Sequence, residues 1–457
     1  MLKTFANLFK IPELRARIFF TIGLVAVARL LAMIPTPGVD WGAIQQLQDT
    51  IGATSEAGLV AWFDTFTGGA LTQCSVGTLS IWPYISAQII IQLMTAVIPA
   101  LGRLQREGDA GRKTLNLYIR WLTIAICVFQ ALALANTMLS PERLVGSETD
   151  VRLVVMSPFL FYVSTVIAMT GASMFVMWLG DQISERGIGN GISLLIMINI
   201  TSRLPVAVAD AARRYFNIGG AQAQGAVWEL ILLLVFFFAV LLGTVAITQA
   251  LRKIPIHSTR AISRGAAYGG GVNYLPLRVN FSGVMPIIFA GPILQLIGML
   301  SRLNGTNAVT RFLKEVGETI IQPTTMTHIL LYGALILFFT FFWVATQFNA
   351  MNISDGLKRE GSYIPGIRPG LATAEYLDAV MTRVTFIGAI ALLLIAIIPL
   401  ILTSSRQISW EITSFFGGTS LLIIVGVALD TLRRLESQLV MRNYDGFLKH
   451  GRITGRH

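Results

Sequence analysis

"TGGALTQCSVGTLSIWPYISAQIII", Thr67 to Ile91, begins as glycine and small hydroxyl residues and ends in one of the most apolar stretches of the chain. A soluble loop does not grade so gradually into a buried helix. A plain membrane helix does not carry so many polar residues at its mouth. The run is uncharged, and it raises the question of what rests half inside a membrane without a charge. The rest of the chain names the solvent: 54% hydrophobic residues, 13% charged and a mean hydropathy of +0.67 over 457 residues exclude an ordinary soluble protein.

A spanning helix needs about 20 predominantly apolar residues. Ten candidates of roughly that length or somewhat less follow one another. They centre on Ile18–Ile34, Ile81–Ile98, Trp121–Ala135, Phe159–Leu179, Ile188–Ile200, Trp228–Ile247, Val284–Leu300, Ile329–Ala345, Val384–Leu402 and Phe415–Leu429. The expected fold class is an all-α polytopic membrane protein. Most of the 35 Lys and Arg residues fall in alternate connections, which places both termini in the cytoplasm. The net charge of +11 is then largely topological, a retention signal facing anionic lipids. The first apolar run ends in "AMIPTPGVD" with no small-x-small cleavage site, so it reads as a retained span.

Catalytic constellations are mostly missing. Cys74 and Cys127 are too few for a disulfide framework and read as free thiols. His257, His328, His450 and His457 show no zinc-ligand spacing, and there is no P-loop or nucleophile elbow. "YGGGVN" reads as a flexible loop. No cofactor is implied, the chain is not expected to be an enzyme, and its energy source must lie elsewhere. Ion-coupled carriers place acids or histidines at mid-depth. The ten apolar cores hold no acid and one base, Arg29, which reads either as a side chain snorkelling outward or as half of a functional pair. Asp181, Glu185 and Arg186 are placed in the turn between spans four and five, and Asp430 at the inner end of span ten. A secondary transporter with broken helices, the competing reading, would lack its coupling carboxylate.

Three segments, "TGGALTQCSVGTLSIWPYIS", "GIGNGISLLIM" and "FFGGTSLLIIV", lead into the membrane through glycine and small polar residues. Such backbone is tolerated at depth where protein covers it or where it lines a wet cavity. Close helix packing through small residues is the alternative for each. The connections Leu251–Asn280 and Asn352–Arg383 are long for a compact bundle. They read as solvated linkers or as docking surfaces for ribosomal RNA or an acidic protein face.

Seven stretches carry a resemblance: "IPTPGVD", "GGALTQCSVGTLSIWPYISAQIIIQL", "GRKTLNLYIRW", "MFVMWLGDQISERGIGNGISLLI", "YLPLRVNFSGVMPIIFA", "SYIPGIRPGLATAEYLDAVMTR" and "FFGGTSLLIIV". Collinear from about Arg15 to Tyr444, they resemble the SecY family, the channel-forming subunit of the bacterial Sec protein translocon. The resemblance implies two inverted, pseudo-symmetric halves of five helices around an hourglass pore with a plug half-helix. The expected boundaries are a cytoplasmic segment 1–17, halves at 18–206 and 207–435, and a cytoplasmic tail 436–457.

Carried over by motif, the plug lies at about 63–77 and includes Phe63, Gly68, Gly69, Leu71, Cys74 and Gly77. Its weak hydrophobicity would let it leave a partly wet funnel without dragging a charge along. The pore ring falls on Ile81, Ile85, Ile192, Ile196, Ile288 and Ile423, a set that offers no hydrogen-bond partner and seals by dewetting. Each Ile taken singly reads as helix packing. A lateral gate lies between helices two and three and helices seven and eight, with Gln88 and Gln92 placed there by register; packing is their alternative. Cytosolic docking falls on Arg252, Lys253, Arg260, Arg264, Lys358, Arg359 and Arg368.

The implied function is a passive channel in the bacterial plasma membrane. It would translocate unfolded secretory polypeptides and release signal or transmembrane helices sideways. Implied partners are SecE-like and SecG-like small subunits, the SecA motor ATPase, the ribosome, signal sequences, nascent polypeptides and anionic lipids. Two departures thin the docking surface: "IHSTRAISRG" after "RKIP" replaces a tyrosine-containing basic run, and "FNAMNISD" stands where a Pro-Arg-Glu stretch is common.

Overall fold

The computed structural model describes residues 11–46, 64, 66–139, 153–216, 227–258, 273–301, 325–406 and 419–450. The chain forms two compact units, Met1–Gly220 with Val427–His457, and Ala221–Gly426. Over the described residues, a helix overlaps each of the ten expected spans.

In the first unit, four helices carry proline at their first or second residue: α1 (Pro12–Leu31), α2 (Trp82–Val97), α3 (Pro99–Arg106) and α5 (Pro158–Arg186). Proline suits a first turn because its φ is preset and its missing N–H has no intrahelical partner there. The same residue ends α2, since Pro99 pushes Ile98 to an extended ψ of 110°, and the chain breaks before the amphipathic α3. Helix α4 (Asp109–Leu139) packs against α2, α3 and α5.

The "SERGIGNGIS" motif is the hinge between α5 and α6 (Gly191–Ser202). Asn190 caps α6 by accepting the Ile192 N–H at 3.2 Å, and the Ser184 hydroxyl accepts the Gly191 N–H at 2.9 Å. A side chain at Gly191 would overlap the Gly180 carbonyl oxygen, so glycine is what lets α5 and α6 touch backbone to backbone. Asp181, Glu185 and Arg186 belong to the last turns of α5 and not to a separate turn, because the helix continues until Gly187. Helix α7 (Leu204–Phe216) follows α6 after one turn residue.

The second unit holds α8 (Val227–Gln249), α9 (Met285–Ser301), α10 (Met326–Gln347), α11 (Ala350–Arg359) and α12 (Leu371–Arg406). Helix α13 (Thr419–His450) starts in this unit and continues in the other. Among the described residues, seven helical runs are long and apolar enough to cross a membrane. Helix α1 carries Glu13, Arg15, Arg17 and Arg29, and α9 is only 17 residues long.

Both long connections contain regular structure in their described residues. Strands β1 (Leu251–Ser258), β2 (Asn273–Arg278) and β3 (Ser362–Tyr363) form an antiparallel sheet in the order β2-β1-β3. Ile254 pairs with Leu275, and Arg252 with Leu277. Ile254 and Ile256 are buried while Lys253, Pro255 and His257 face out, the period-two pattern of a half-buried strand; Arg252, at the start of the strand, is exposed. Ile254 and Leu277 join Ile364 and Leu377 in a small core, with Ile353, Ile367 and Val380 packed against it. Over the described residues 251–258, 273–280 and 352–383, the solvated-linker reading is therefore replaced by a folded platform.

Candidate functional site

The opening stretch folds inside the first unit. Asp64, Phe66 and Thr67 are helical, and Phe63 lies outside the described residues. The chain then reverses through Gly68 and Gly69 at φ +70° and +92°. A 3-10 turn, Val76–Leu79, lies between Cys74 and Ser80, both at φ +46°, and α2 begins directly after Ile81. Left-handed φ at two non-glycine residues is a local strain that surrounding packing must hold. The packing is there: Cys74 and Leu79 are buried against Cys127, Ala131, Phe161 and Met169 of α4 and α5. Phe66 meets Trp82 edge to face at 5.4 Å between ring centroids.

Two sets of hydrogen bonds seat this segment. At one end the Thr36 N–H and hydroxyl both donate to the Cys74 carbonyl, at 2.9 and 2.7 Å, and the Val76 N–H donates to Ile34 at 2.9 Å. At the other end, α1 and α6 converge on Gly68. Arg29 Nη2 donates to the Gly68 carbonyl at 2.9 Å and Nη1 to Asn199 Oδ1 at 3.3 Å, while Asn199 Nδ2 donates to Ser80 Oγ at 2.9 Å. Arg29 thus turns inward onto two uncharged partners, which replaces the reading of a side chain snorkelling outward. A cavity of about 10 Å³, room for a single water, lies beside Thr67, Gly77, Ser80 and Asn199.

Asp64 anchors the same end. Its carboxylate is buried, accepts the Thr72 N–H at 3.0 Å and the Thr72 hydroxyl at 3.2 Å, and forms an ion pair with Arg203. Arg203 also donates to Thr72 Oγ1 at 3.1 Å. The expectation of a segment that moves without a charge is corrected here: the uncharged quoted stretch is tied to a carboxylate three residues before it. Sequence reasoning missed Asp64, Arg203, Asn199 and Thr72. The available signal was an acid lying within 63–77, and its partner is 139 residues away.

The remaining site residues are distributed as follows. Ile81 and Ile85 at the start of α2 and Ile196 on α6 are buried, and Ile192 is half-buried. In the second unit Ile288 on α9 and Ile423 on α13 are buried. Gln88 and Gln92 are half-buried on α2. Gly77 sits against α1, where an added Cβ would lie 2.9 Å from the Leu31 carbonyl oxygen. Leu71 is half-buried. Arg252 and Lys253 on β1 and Lys358 and Arg359 at the end of α11 are exposed; Arg260 and Arg264 lie outside the described residues. Arg368 is exposed at the tip of a fixed turn. Its carbonyl accepts from the Thr373 hydroxyl at 2.8 Å, the Ser354 hydroxyl donates to the Gly370 carbonyl at 2.7 Å, and Gly366 and Gly370 adopt φ +81° and +105°. Among the described residues no group of His, Cys, Asp and Glu has the arrangement of a metal site.

The family model described as SecY matches residues 75–432. The chain belongs to the SecY family. A similar relative is the protein translocase subunit SecY of Thermotoga maritima, 38% identical over 460 residues, covering 100% of both chains. Among solved structures, one of a SecY protein whose plug domain stabilises the closed state of the translocation channel and maintains a membrane seal is similar at a TM-score of 0.60. It is 16% identical and covers 93% of this chain and 92% of that one. Sec61 in the canine ribosome-channel complex from the endoplasmic reticulum is similar at a TM-score of 0.59 and 15% identity, with the same coverage of 93% and 92%. Membership of the SecY family makes this a multi-pass membrane protein and removes the secondary-transporter alternative.

Proposed function

We propose that the chain is a passive protein-conducting channel of the bacterial plasma membrane, with no catalytic chemistry of its own. The observation that carries this is a SecY-family chain in which the 64–80 segment is held in a pre-built seat by α1, α5 and α6. In this reading the segment is the plug of the conducting path, within expected bounds of 63–77. Ile81, Ile85, Ile192, Ile196, Ile288 and Ile423 supply its apolar constriction; the burial of five of them on helices is compatible with that role. Such a ring forms no hydrogen bonds that would retain a passing chain, and it gates ions by dewetting.

Signal and transmembrane helices would leave sideways along the α2 face that carries Gln88 and Gln92. The alternation of basic connections supports cytoplasmic termini, with inverted halves at 18–206 and 207–435. The platform bearing Arg252, Lys253, Lys358, Arg359 and Arg368 would then face the cytosol and dock the ribosome or the SecA motor, which supplies the driving force. SecE-like and SecG-like subunits and anionic lipids complete the assembly. The fixed, exposed turn at Arg368 supports the docking role, as a preformed contact loses little entropy on binding.

The test is single-channel conductance of the full chain in planar bilayers, compared with a variant lacking residues 63–77. Frequent large openings in the deletion variant are expected. If neither form conducts, even with a translocation motor added, the channel reading fails.

A further inference from the structure

We propose that the buried Asp64–Arg203 ion pair is an electrostatic latch that sets how readily the plug leaves its seat, with Arg29 clamping the Gly68 carbonyl beside it. The inference rests on the channel reading above and assigns positioning roles to residues that reading does not use.

The two partners sit in unequal environments. The Asp64 side chain is 2% exposed, whereas that of Arg203 is 18% exposed. A buried carboxylate without its cation is strongly unfavourable, while a well-paired one roughly offsets its own desolvation. Seated, Asp64 has Arg203 and two bonds from Thr72. Withdrawn into water, it regains hydration, and Arg203 keeps its partial exposure just past the C-terminal end of α6. Neither state strands a charge in lipid, so the pair holds the plug without making its release prohibitive. The other tie at this end has the same property: the Gly68 carbonyl takes Arg29 and, at 3.4 Å, the Ser202 hydroxyl, both of which stay with α1 and α6 when the plug moves. The contacts of Cys74 and Val76 with residues 34–36 are made at the far end of the segment, next to its covalent link to α2. The Asp64 end is therefore where release begins.

The inequality makes a specific demand. Arg203→Gln leaves a buried carboxylate unpaired and favours withdrawal strongly. Asp64→Asn leaves a cation that is already partly exposed and favours it less. The double variant Asp64→Asn with Arg203→Gln removes both members of the pair, leaves only the Arg29 cation that the parent also carries, and returns toward the parent. A residue that merely supported the fold would not give this order.

The experiment is single-channel recording of the full chain and these variants, with the 63–77 deletion alongside. Arg203→Gln is expected to raise the opening frequency by at least about tenfold, Asp64→Asn less, and the double variant to fall below Arg203→Gln. Openings of both single variants at the parent's frequency, or a double variant at least as leaky as Arg203→Gln, would overturn the latch. If the deletion conducts and Arg203→Gln does not, the latch alone falls. If the deletion itself stays silent, the channel reading fails and the latch with it. Should Arg203→Gln not elute as a monodisperse protein, Arg203→Lys against Asp64→Asn carries the comparison: the lysine variant stays closed and the asparagine variant leaks, and the reverse order overturns the proposal.

Discussion

Replacing Gly68 with alanine tests the seat of the plug at the point where α1, α6 and the 64–80 segment meet. Gly68 has φ +70°, a region that costs an L-residue about 1–2 kcal/mol. An added Cβ would collide with Arg29 Nη1 and sit 2.8 Å from the Asn199 carbonyl oxygen and 2.9 Å from Ser202 Oγ. The arginine tip can swing away at the cost of its bond to Gly68. The Asn199 carbonyl belongs to the backbone of α6 and cannot. Overpacking of this kind costs about 1–3 kcal/mol, so the seated plug loses roughly 2–5 kcal/mol in all. The ratio of displaced to seated plug then rises on the order of thirty- to several-thousand-fold.

Cys74, 2% exposed, reports that ratio. In a Cys127→Ala background it is the single remaining thiol, since the chain has two cysteines. Its rate of modification by a membrane-impermeant maleimide follows the displaced population. Gly23→Ala on α1 is the control, because a Cβ there meets nothing within 4 Å. Gly68→Ala is expected to accelerate labelling at least about thirtyfold, and Gly23→Ala to leave it unchanged. Equal rates in the two variants would refute the assignment of Gly68 as the close-approach point of the seat.

Other expectations concern the hinge and the platform. Gly191→Ala sets a Cβ against the Gly180 backbone carbonyl and should lower thermal stability in detergent far more than Asn190→Ala. The latter loses one helix cap, worth about 1 kcal/mol. Ile254→Ala and Leu377→Ala each remove a side chain from the small platform core and should cost about 2–5 kcal/mol locally, read as faster proteolysis in the 251–278 hairpin. Arg368→Glu alters an exposed side chain and should leave the melting temperature unchanged while weakening binding of the cytosolic motor or ribosome, most strongly at low ionic strength. An unchanged affinity would remove Arg368 from the docking surface.

The helices were legible because lipid imposes a one-dimensional rule: the backbone must satisfy itself over about 20 apolar residues, so each span announces itself locally. The sheet was hidden by its own exceptions. Pro255 and Pro276 argue against strands, yet both are tolerated. β3 pairs only with His257 and Ser258, so β1 is unpaired on that side at Pro255, and β2 is an edge strand. The alternation of Ile254 and Ile256 was the missed signal.

Residue order alone therefore determined the solvent, the helical spans and, through the motifs around "GIGNGIS" and "PGIRPG", the family. What only the tertiary structure decided was the pairing of Asp64 with Arg203 and of Arg29 with Gly68 and Asn199. Hydrophobicity is a sum over neighbours in the chain and can be read along it. An ion pair depends on two groups that meet only after α1, α6 and the turn at Gly68 have packed, and no local pattern encodes that meeting.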